Sequence, residues 1–121
     1  MMRPVAEVVV TEEFKGWYED LSLEEQESVF RVVTLLEGRG VSLGYPYSTA
    51  IAGSRYGLRE LRIQHQGRPY RVLYAFDPER QAVLLLGGDK TGHDRFYAEH
   101  VPRAEAIWER YLAECEAKGK E

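Results

Sequence analysis

The stretch Gly67–Asp77 (GRPYRVLYAFD) decides the fold of this chain. Leu58–Ile63 (LRELRI) precedes it and Val83–Gly92 (VLLLGGDKTG) follows it, so three strand-like segments succeed one another with turn residues between them. Short runs of β-branched, aliphatic and aromatic residues, bounded by Gly, Pro and Asp, are typical of strands. We therefore predict an antiparallel meander with strands over about residues 57–65, 69–77 and 81–87.

Basic side chains lie within or just after these strands. Arginine is costly to bury unless it is paired, so several arginines on one meander suggest a sheet that faces an anion. Side chains alternate across a strand. If Leu61 and Ile63 point inward, Arg62 points to the open face, whereas Arg59 shares the inward direction and could lie at the rim. The alternative is that the arginines pair with acids of the protein itself, such as Glu60.

The same alternation applies to the second and third strands. Arg71 points away from the row formed by Tyr70, Val72, Tyr74 and Phe76, so we expect Arg71 to be exposed if that row packs on helices. Lys90 lies just past the third strand and could reach the same surface.

Outside the meander, helices are predicted at both ends. Thr11 is an N-cap candidate for a helix over 12–21, and Ser22 with Glu25 has the form of a capping box that begins a second helix over 23–37. Residues 5–10 read as a strand, and residues 38–57 as one long connection. A last helix begins near residue 95 or 102 and ends near 117, with 93–101 as a separate helical segment because Pro102 fits a first turn better than an interior.

The chain has 121 residues, which indicates one domain over 1–121, with residues 116–121 as a frayed tail. We expect an α+β fold: a twisted, mostly antiparallel sheet of about four strands, two N-terminal helices on one face and a C-terminal helix. No apolar run approaches the length of a membrane span, and no signal peptide is recognisable, so a cytoplasmic location without membrane contact is expected. The single cysteine, Cys115, excludes an internal disulfide.

Charge is distributed unevenly along the chain. The formal net charge is −4, yet residues 53–95 carry eight basic and five acidic side chains, whereas residues 1–52 carry four basic and nine acidic ones. Local field matters more than net charge within a Debye length of about 8–10 Å. The basic segment is therefore a candidate surface for RNA, and we expect Arg55, Arg59 and Arg68 to contribute to binding it.

Phosphodiester chemistry suits these residue types. Cleavage of RNA by its own 2′-hydroxyl needs a base, cations that stabilise the phosphorane and an acid for the leaving oxygen. Arginine grips phosphate through its planar fork, and a histidine such as His93 or His65 can move a proton near neutral pH. The three histidines lack the spacing of a metal-binding motif, so no metal and no cofactor is expected.

The order strand, two helices, long loop, meander and C-terminal helix resembles the RelE/ParE toxin superfamily. The segments Leu58–Arg62, Tyr70–Phe76 and Leu84–Thr91 are most similar to its phage-derived, HigB-like branch. The resemblance covers roughly residues 5–112 and implies the toxin of a type II toxin–antitoxin pair, a metal-independent endoribonuclease that cleaves mRNA, on the ribosome in many relatives. It implies a helix-turn-helix antitoxin as partner and contact with DNA only through that antitoxin.

The resemblance also implies which residues act. It places the strand arginines of the family on Arg59 or Arg62 and on Arg71, and its lysine on Lys90. We accordingly expect Arg62, Arg71 and Lys90 at the catalytic site, with His93 as proton carrier. The chain departs from its relatives by having one lysine in this loop and by an insertion over 93–101. Two alternatives remain: a ParE-like gyrase inhibitor and a non-catalytic binding module with the same fold.

Overall fold

The computed structural model describes residues 3–119 as a five-stranded sheet with helices on both faces. The elements in chain order are β1 (Val8–Val10), α1 (Glu12–Glu19), α2 (Leu23–Arg39), β2 (Ser48–Ala50), β3 (Arg59–His65), β4 (Arg68–Phe76), β5 (Ala82–Asp89) and α3 (Phe96–Gly119). The strand order is β1-β5-β4-β3-β2; β1 runs parallel to β5, and the other neighbours are antiparallel. The predicted α+β class with a mostly antiparallel sheet is confirmed.

The two N-terminal helices begin at the predicted caps. The Thr11 hydroxyl accepts a hydrogen bond from the amide of Phe14 at 3.2 Å. Ser22 and Glu25 form the reciprocal capping box, because each side chain accepts from the backbone amide of the other. Each cap satisfies amide groups that a helix start would otherwise leave unpaired.

The sheet separates two hydrophobic layers. One layer, between the sheet and α1 and α2, contains Leu61, Ile63, Tyr70, Val72, Tyr74, Val29 and Leu36. The other layer, between the sheet and α3, contains Leu73, Ala75, Val83, Leu85, Phe96, Ile107 and Trp108. Both faces of β4 and β5 are therefore covered, which explains why the Ala82–Leu86 segment is apolar without alternation.

An irregularity in the register of β5 changes the direction of all side chains that follow it. Leu73 pairs with Leu86, but its neighbour Tyr74 pairs with Leu84, so Leu85 is an extra residue on β5. Such a bulge shifts the alternation by one position. Gly87 consequently faces α1, where Trp17 occupies the space of a side chain, and Gly88 faces α3, where Phe96 and His100 do so.

Thr11 holds this bulge in place. Its hydroxyl lies 2.9 Å from each of the carbonyl oxygens of Leu84 and Leu85, to which it can donate. Its amide donates to the same Leu84 carbonyl at 3.2 Å. The residue that caps α1 therefore also satisfies the backbone of the bulged strand.

Three expectations from the sequence are wrong in detail. The sheet has five strands rather than about four, because β2 lies within the predicted long connection and pairs with β3. β1 is shorter than the strand predicted over residues 5–10 and contains only its last part, Val8–Val10. α3 is one continuous helix that contains Pro102 and extends to Gly119, so residues 116–119 are helical and residues 120 and 121 lie outside the described part of the chain.

None of the helices within residues 3–119 is both long and apolar enough to cross a membrane.

We predict that Thr11→Val lowers the free energy of unfolding by about 1–3 kcal/mol, since it removes a helix cap and the buried hydrogen bonds to the bulge. Thr11→Ser retains the hydroxyl and should lose clearly less. Urea unfolding followed by tryptophan fluorescence measures both variants. Equal urea midpoints for Thr11→Val and the parent chain would show that the hydroxyl does not stabilise the bulge.

Candidate active site

Three of the predicted basic residues of the meander, Arg62, Arg71 and Lys90, form one row on the α3 face of the sheet. Arg62 pairs directly with Arg71, and Arg71 pairs with Gly88 on the next strand. Lys90 lies two residues beyond Gly88 and reaches the same face, where its ammonium lies 5.0 Å from the centre of the Tyr97 ring. The bulge at Leu85 is what gives Lys90 this direction, since an unbroken alternation would send it toward α1.

Glu60 lies at the centre of this row. Its Oε1 atom accepts hydrogen bonds from the hydroxyls of Tyr97 at 3.0 Å and Thr49 at 3.3 Å. The same oxygen lies 3.5 Å from Nη1 of Arg62 and 3.5 Å from Nε of Arg71. One carboxylate therefore balances two guanidinium groups and fixes the tyrosine that α3 places above the sheet.

Glu60 and Arg71 are each only 4% exposed. Arg71 donates from Nη1 to the carbonyl of Tyr70 at 3.0 Å. Its Nε atom and Oε2 of Glu60 have no hydrogen-bond partner among the described residues. Because buried charges are stable only when compensated, each member of this pair depends on the other.

A cleft of about 540 Å³ opens beside Glu60 and Tyr97, between the β2 side of the sheet and the first turns of α3. Burial, followed by the hydrogen bond to Glu60, raises the pKa of the Tyr97 hydroxyl. Tyr97 therefore stays protonated at neutral pH and acts as a hydrogen-bond donor. The other lining residues are Ala50, Ile51, Ala52, Ala98, Val101 and Pro102.

A second cleft, of about 480 Å³, lies at the edge of β3 that β2 leaves uncovered. Arg31, Arg62 and Arg71 line it together with Tyr45. The Arg62 guanidinium lies 6.0 Å from the centre of the Tyr45 ring, and Tyr45 is 80% exposed. The ion pair between Arg62 and Glu60 thus joins the two clefts.

His93 lies in the turn between β5 and α3. Its Nε2 atom is 3.1 Å from Oε2 of Glu99, and its ring meets those of Phe96 and His100 edge-on. The His100 ring stacks on Phe96 with centroids 4.0 Å apart, and burial lowers its pKa. His93 and His100 are both partly exposed on this face, and His93 is the one in contact with a carboxylate.

The remaining predicted site residues are not brought together. Arg59 points toward α1 and α2 and donates to the Ser48 hydroxyl at 3.1 Å. Arg68, at the start of β4, forms an ion pair with Asp89 and lies over the ring of Tyr70. Arg55 lies exposed in the β2–β3 loop, where its backbone amide donates to the carboxylate of Glu105 on α3.

The expectation that Arg71 is exposed is wrong. The row Tyr70, Val72 and Tyr74 packs on α1 and α2 as predicted, but α3 covers the opposite face, where Arg71 lies. His65 is also excluded from the basic row, because it points toward α2 and its Nδ1 lies 2.7 Å from the Ser28 hydroxyl.

Two residues of the site were not predicted as site residues, and Glu60 was considered only as an ion-pair partner of the strand arginines. Glu60 shares the direction of Arg62 along β3, so its presence on the basic face could have been found from alternation alone. Tyr97 carries no such signal, because the packing of α3 across the sheet depends on contacts distant in sequence.

The fold is that of a known class of toxin. The structure of Escherichia coli toxin RelE in the free state, with two arginines changed to alanine, superposes with a TM-score of 0.57 and 14% identity. The match covers 84% of this chain and 98% of the RelE chain. At this identity the likeness concerns the fold alone.

Residues 16–109 match the family described as phage-derived protein Gp49-like, and the chain belongs to that family. It is 38% identical over 108 residues to each of two candidate toxins of Mycobacterium tuberculosis, HigB2 and HigB3. The matches cover 87% of this chain and 54% of HigB2, and 88% of this chain and 93% of HigB3. The chain thus spans about half the length of HigB2. The resemblance to the HigB-like branch of the RelE/ParE superfamily is confirmed.

We predict that Arg71→Met lowers the free energy of unfolding by about 3–5 kcal/mol, because it leaves the buried Glu60 carboxylate poorly compensated. Combining it with Glu60→Gln should recover most of the loss. Arg62→Met removes a partly exposed ion pair and should cost at most about 1 kcal/mol. Urea denaturation of the four proteins measures these differences; an Arg71→Met variant as stable as the parent would mean that the pair does not support the fold.

Proposed function

We propose that this chain is the toxin of a type II toxin–antitoxin pair and that it cleaves mRNA through the 2′-hydroxyl of the RNA. The observation that carries the proposal is the convergence of Arg62, Lys90, Glu60 and Tyr97 on one face of the sheet beside two open clefts. The names of the curated relatives and the fold of RelE support the toxin class. A helix-turn-helix antitoxin is the proposed partner, and cleavage on the ribosome is the proposed setting.

Arg62 and Lys90 are the proposed phosphate contacts. Both are partly exposed, and each approaches the Glu60–Tyr97 centre from a different side. A guanidinium and an ammonium at the two margins of the centre would stabilise the charge that develops on the phosphorane oxygens. Arg71 acts as a positioning residue in this arrangement, because its buried charge holds Glu60, which in turn holds Tyr97 and Arg62.

We assign proton transfer to His93, which lies in the turn that follows Lys90. His93 is partly exposed and lies beside the Glu99 carboxylate, and its imidazole is the proposed acid for the leaving 5′-oxygen. Arg55, Arg59 and Arg68 are not included in the proposed RNA contacts, since they face other parts of the molecule.

We predict that Arg62→Gln and Lys90→Gln each slow RNA cleavage by roughly 10²-fold, the scale on which single transition-state donors act. Cleavage of a defined message is followed by primer extension, with and without ribosomes. Arg80→Gln is the matched control, because Arg80 lies exposed in the β4–β5 turn at the opposite end of the sheet. If Arg80→Gln lost as much activity as the two site variants, the assignment of Arg62 and Lys90 as phosphate contacts would be wrong.

A nuclease and a gyrase inhibitor also have different effects in cells. Induced expression should shorten messages within minutes and produce new 5′ ends, without DNA breaks or an SOS response. The Lys90→Gln variant should produce neither effect. Intact messages together with damaged DNA would place the chain with gyrase inhibitors, and intact messages without any damage would favour the non-catalytic binding module.

The antitoxin is proposed to dock on the surface of α1 and α2. This surface combines exposed acids, Glu24 and Glu27, with the exposed apolar side chain of Phe30, which is 59% accessible. Phe30 borders an apolar cleft of about 400 Å³ together with Val10.

The loop over residues 38–57 is the weaker candidate for docking. Val41, Leu43, Tyr45, Tyr47 and Ile51 could have formed an apolar surface there. Leu43 is instead buried in the core, and Ile51 packs against the α3 layer.

We predict that Glu24→Lys combined with Glu27→Lys slows association with a basic antitoxin, an effect that fades as salt rises. Phe30→Ser should weaken the complex by about tenfold or more through faster dissociation, as loss of a buried apolar anchor does. Surface plasmon resonance at low and high salt measures both. Unchanged affinity in these variants, with loss of binding in Arg62→Gln, would place the antitoxin on the α3 face.

A further inference from the structure

The turn before α3 and the first turns of α3 bring two imidazoles and a carboxylate together. His93, Glu99 and His100 each offer a ligand atom, and these atoms lie within 4.8 Å of one another. The Nε2 atom of His93 and Oε2 of Glu99 are already 3.1 Å apart. Two ligands bound tetrahedrally to one zinc ion, each about 2.1 Å from it, lie about 3.4 Å apart, so the cluster is close to that spacing.

The ring of His100 is held in a defined orientation. Its Nδ1 atom lies 2.9 Å from the carbonyl oxygen of Phe96, which can only accept a hydrogen bond. Nδ1 therefore carries the proton, and the lone pair on Nε2 is left for a ligand, as is usual for metal-bound histidine. Phe96 stacks on one side of the ring, and the Nε2 atom lies next to Gly88, in the space that a side chain at this position would fill.

We propose that His93, Glu99 and His100 form a binding site for a divalent transition metal of the zinc class. Two imidazole nitrogens and one carboxylate oxygen are ligands that zinc takes, and the outer positions are left to water. Hard cations such as Mg²⁺, which prefer oxygen ligands, fit this donor set poorly. The bound ion joins the turn after Lys90 to the helix that covers the basic face of the sheet.

The site shares His93 with the proposed RNA chemistry, but zinc binding is measured without RNA and on a variant of Glu99, which has no role in the proposed cleavage. It follows that metal binding and cleavage can fail independently of each other.

Zinc titration of the untagged chain tests the proposal. The parent for all measurements carries Cys115→Ser, because this exposed thiol could bind zinc by itself. Calorimetry with ZnCl₂ should give one ion per chain, and MgCl₂ should give no heat of binding. Addition of ZnCl₂ should also raise the melting temperature, since a ligand that binds only the folded chain stabilises it.

Two variants separate the site from incidental binding. Glu99→Gln removes an exposed carboxylate and should weaken zinc binding by at least about tenfold. Substitution of a residue that only hydrogen-bonds to a metal ligand already has an effect of about this size. Asp94→Asn removes an exposed carboxylate of the same turn that is not in the cluster and should bind as the parent does. Circular dichroism confirms that both variants are folded. Absence of zinc binding in the parent, or equal affinity in the parent and Glu99→Gln, would overturn the proposal.

Discussion

A single extra residue in strand β5 determines which side chains can act together. The bulge at Leu85 reverses the alternation that the apolar run Val83–Leu86 would otherwise continue. Leu84 therefore packs toward α1 and α2, whereas Leu85 and Leu86 both belong to the α3 layer. After the bulge, each side chain points to the face opposite to the one that an unbroken alternation would give it. Lys90 therefore lies on the face that carries Arg62 and Arg71. Thr11 links this irregularity to the start of α1, so the basic row depends on a hydroxyl from the opposite end of the chain.

The covering helix changes what an arginine in this sheet can do. A row of cations on an open face would bind an anion directly, but α3 lies across the row and brings Tyr97 onto Glu60. Arg71 is consequently buried and is balanced by an acid of the protein itself, whereas Arg62 keeps part of its guanidinium exposed. The alternative that the arginines pair with the protein's own acids is thus correct for Arg71 and Arg68, and partly for Arg62. Because both Glu60 and Arg71 are buried, each charge needs the other as its compensation, and the position of the carboxylate is tied to that of the guanidinium.

Local signals predicted most of the elements, and distant contacts account for what was missed. The helix caps at Thr11 and Ser22 depend on neighbouring residues, and so does the alternation in β3 and β4. These features could therefore be predicted from the sequence. β2 is three residues long and pairs with β3 across a loop, so its composition alone did not reveal it. Pro102 suggested a break, but α3 continues through it because the helix is fixed on both sides of the proline by Phe96, Ala104 and Ile107, which are buried against the sheet. The burial of Arg71 could not be predicted, because the sequence alone does not show where α3 packs.

The central claim is that the α3 face of this sheet cleaves RNA through the 2′-hydroxyl next to the scissile phosphate. The nature of the new RNA ends tests it most directly. Attack by the 2′-oxygen expels the 5′-oxygen, so the downstream fragment must carry a 5′-hydroxyl, and an RNA with a single 2′-deoxynucleotide at the cleavage position must remain intact. Mass spectrometry of the fragments that the purified chain produces from such a matched pair, with ribosomes present, should give this result. Fragments with a 5′-phosphate, or cleavage of the deoxy-substituted RNA, would contradict it.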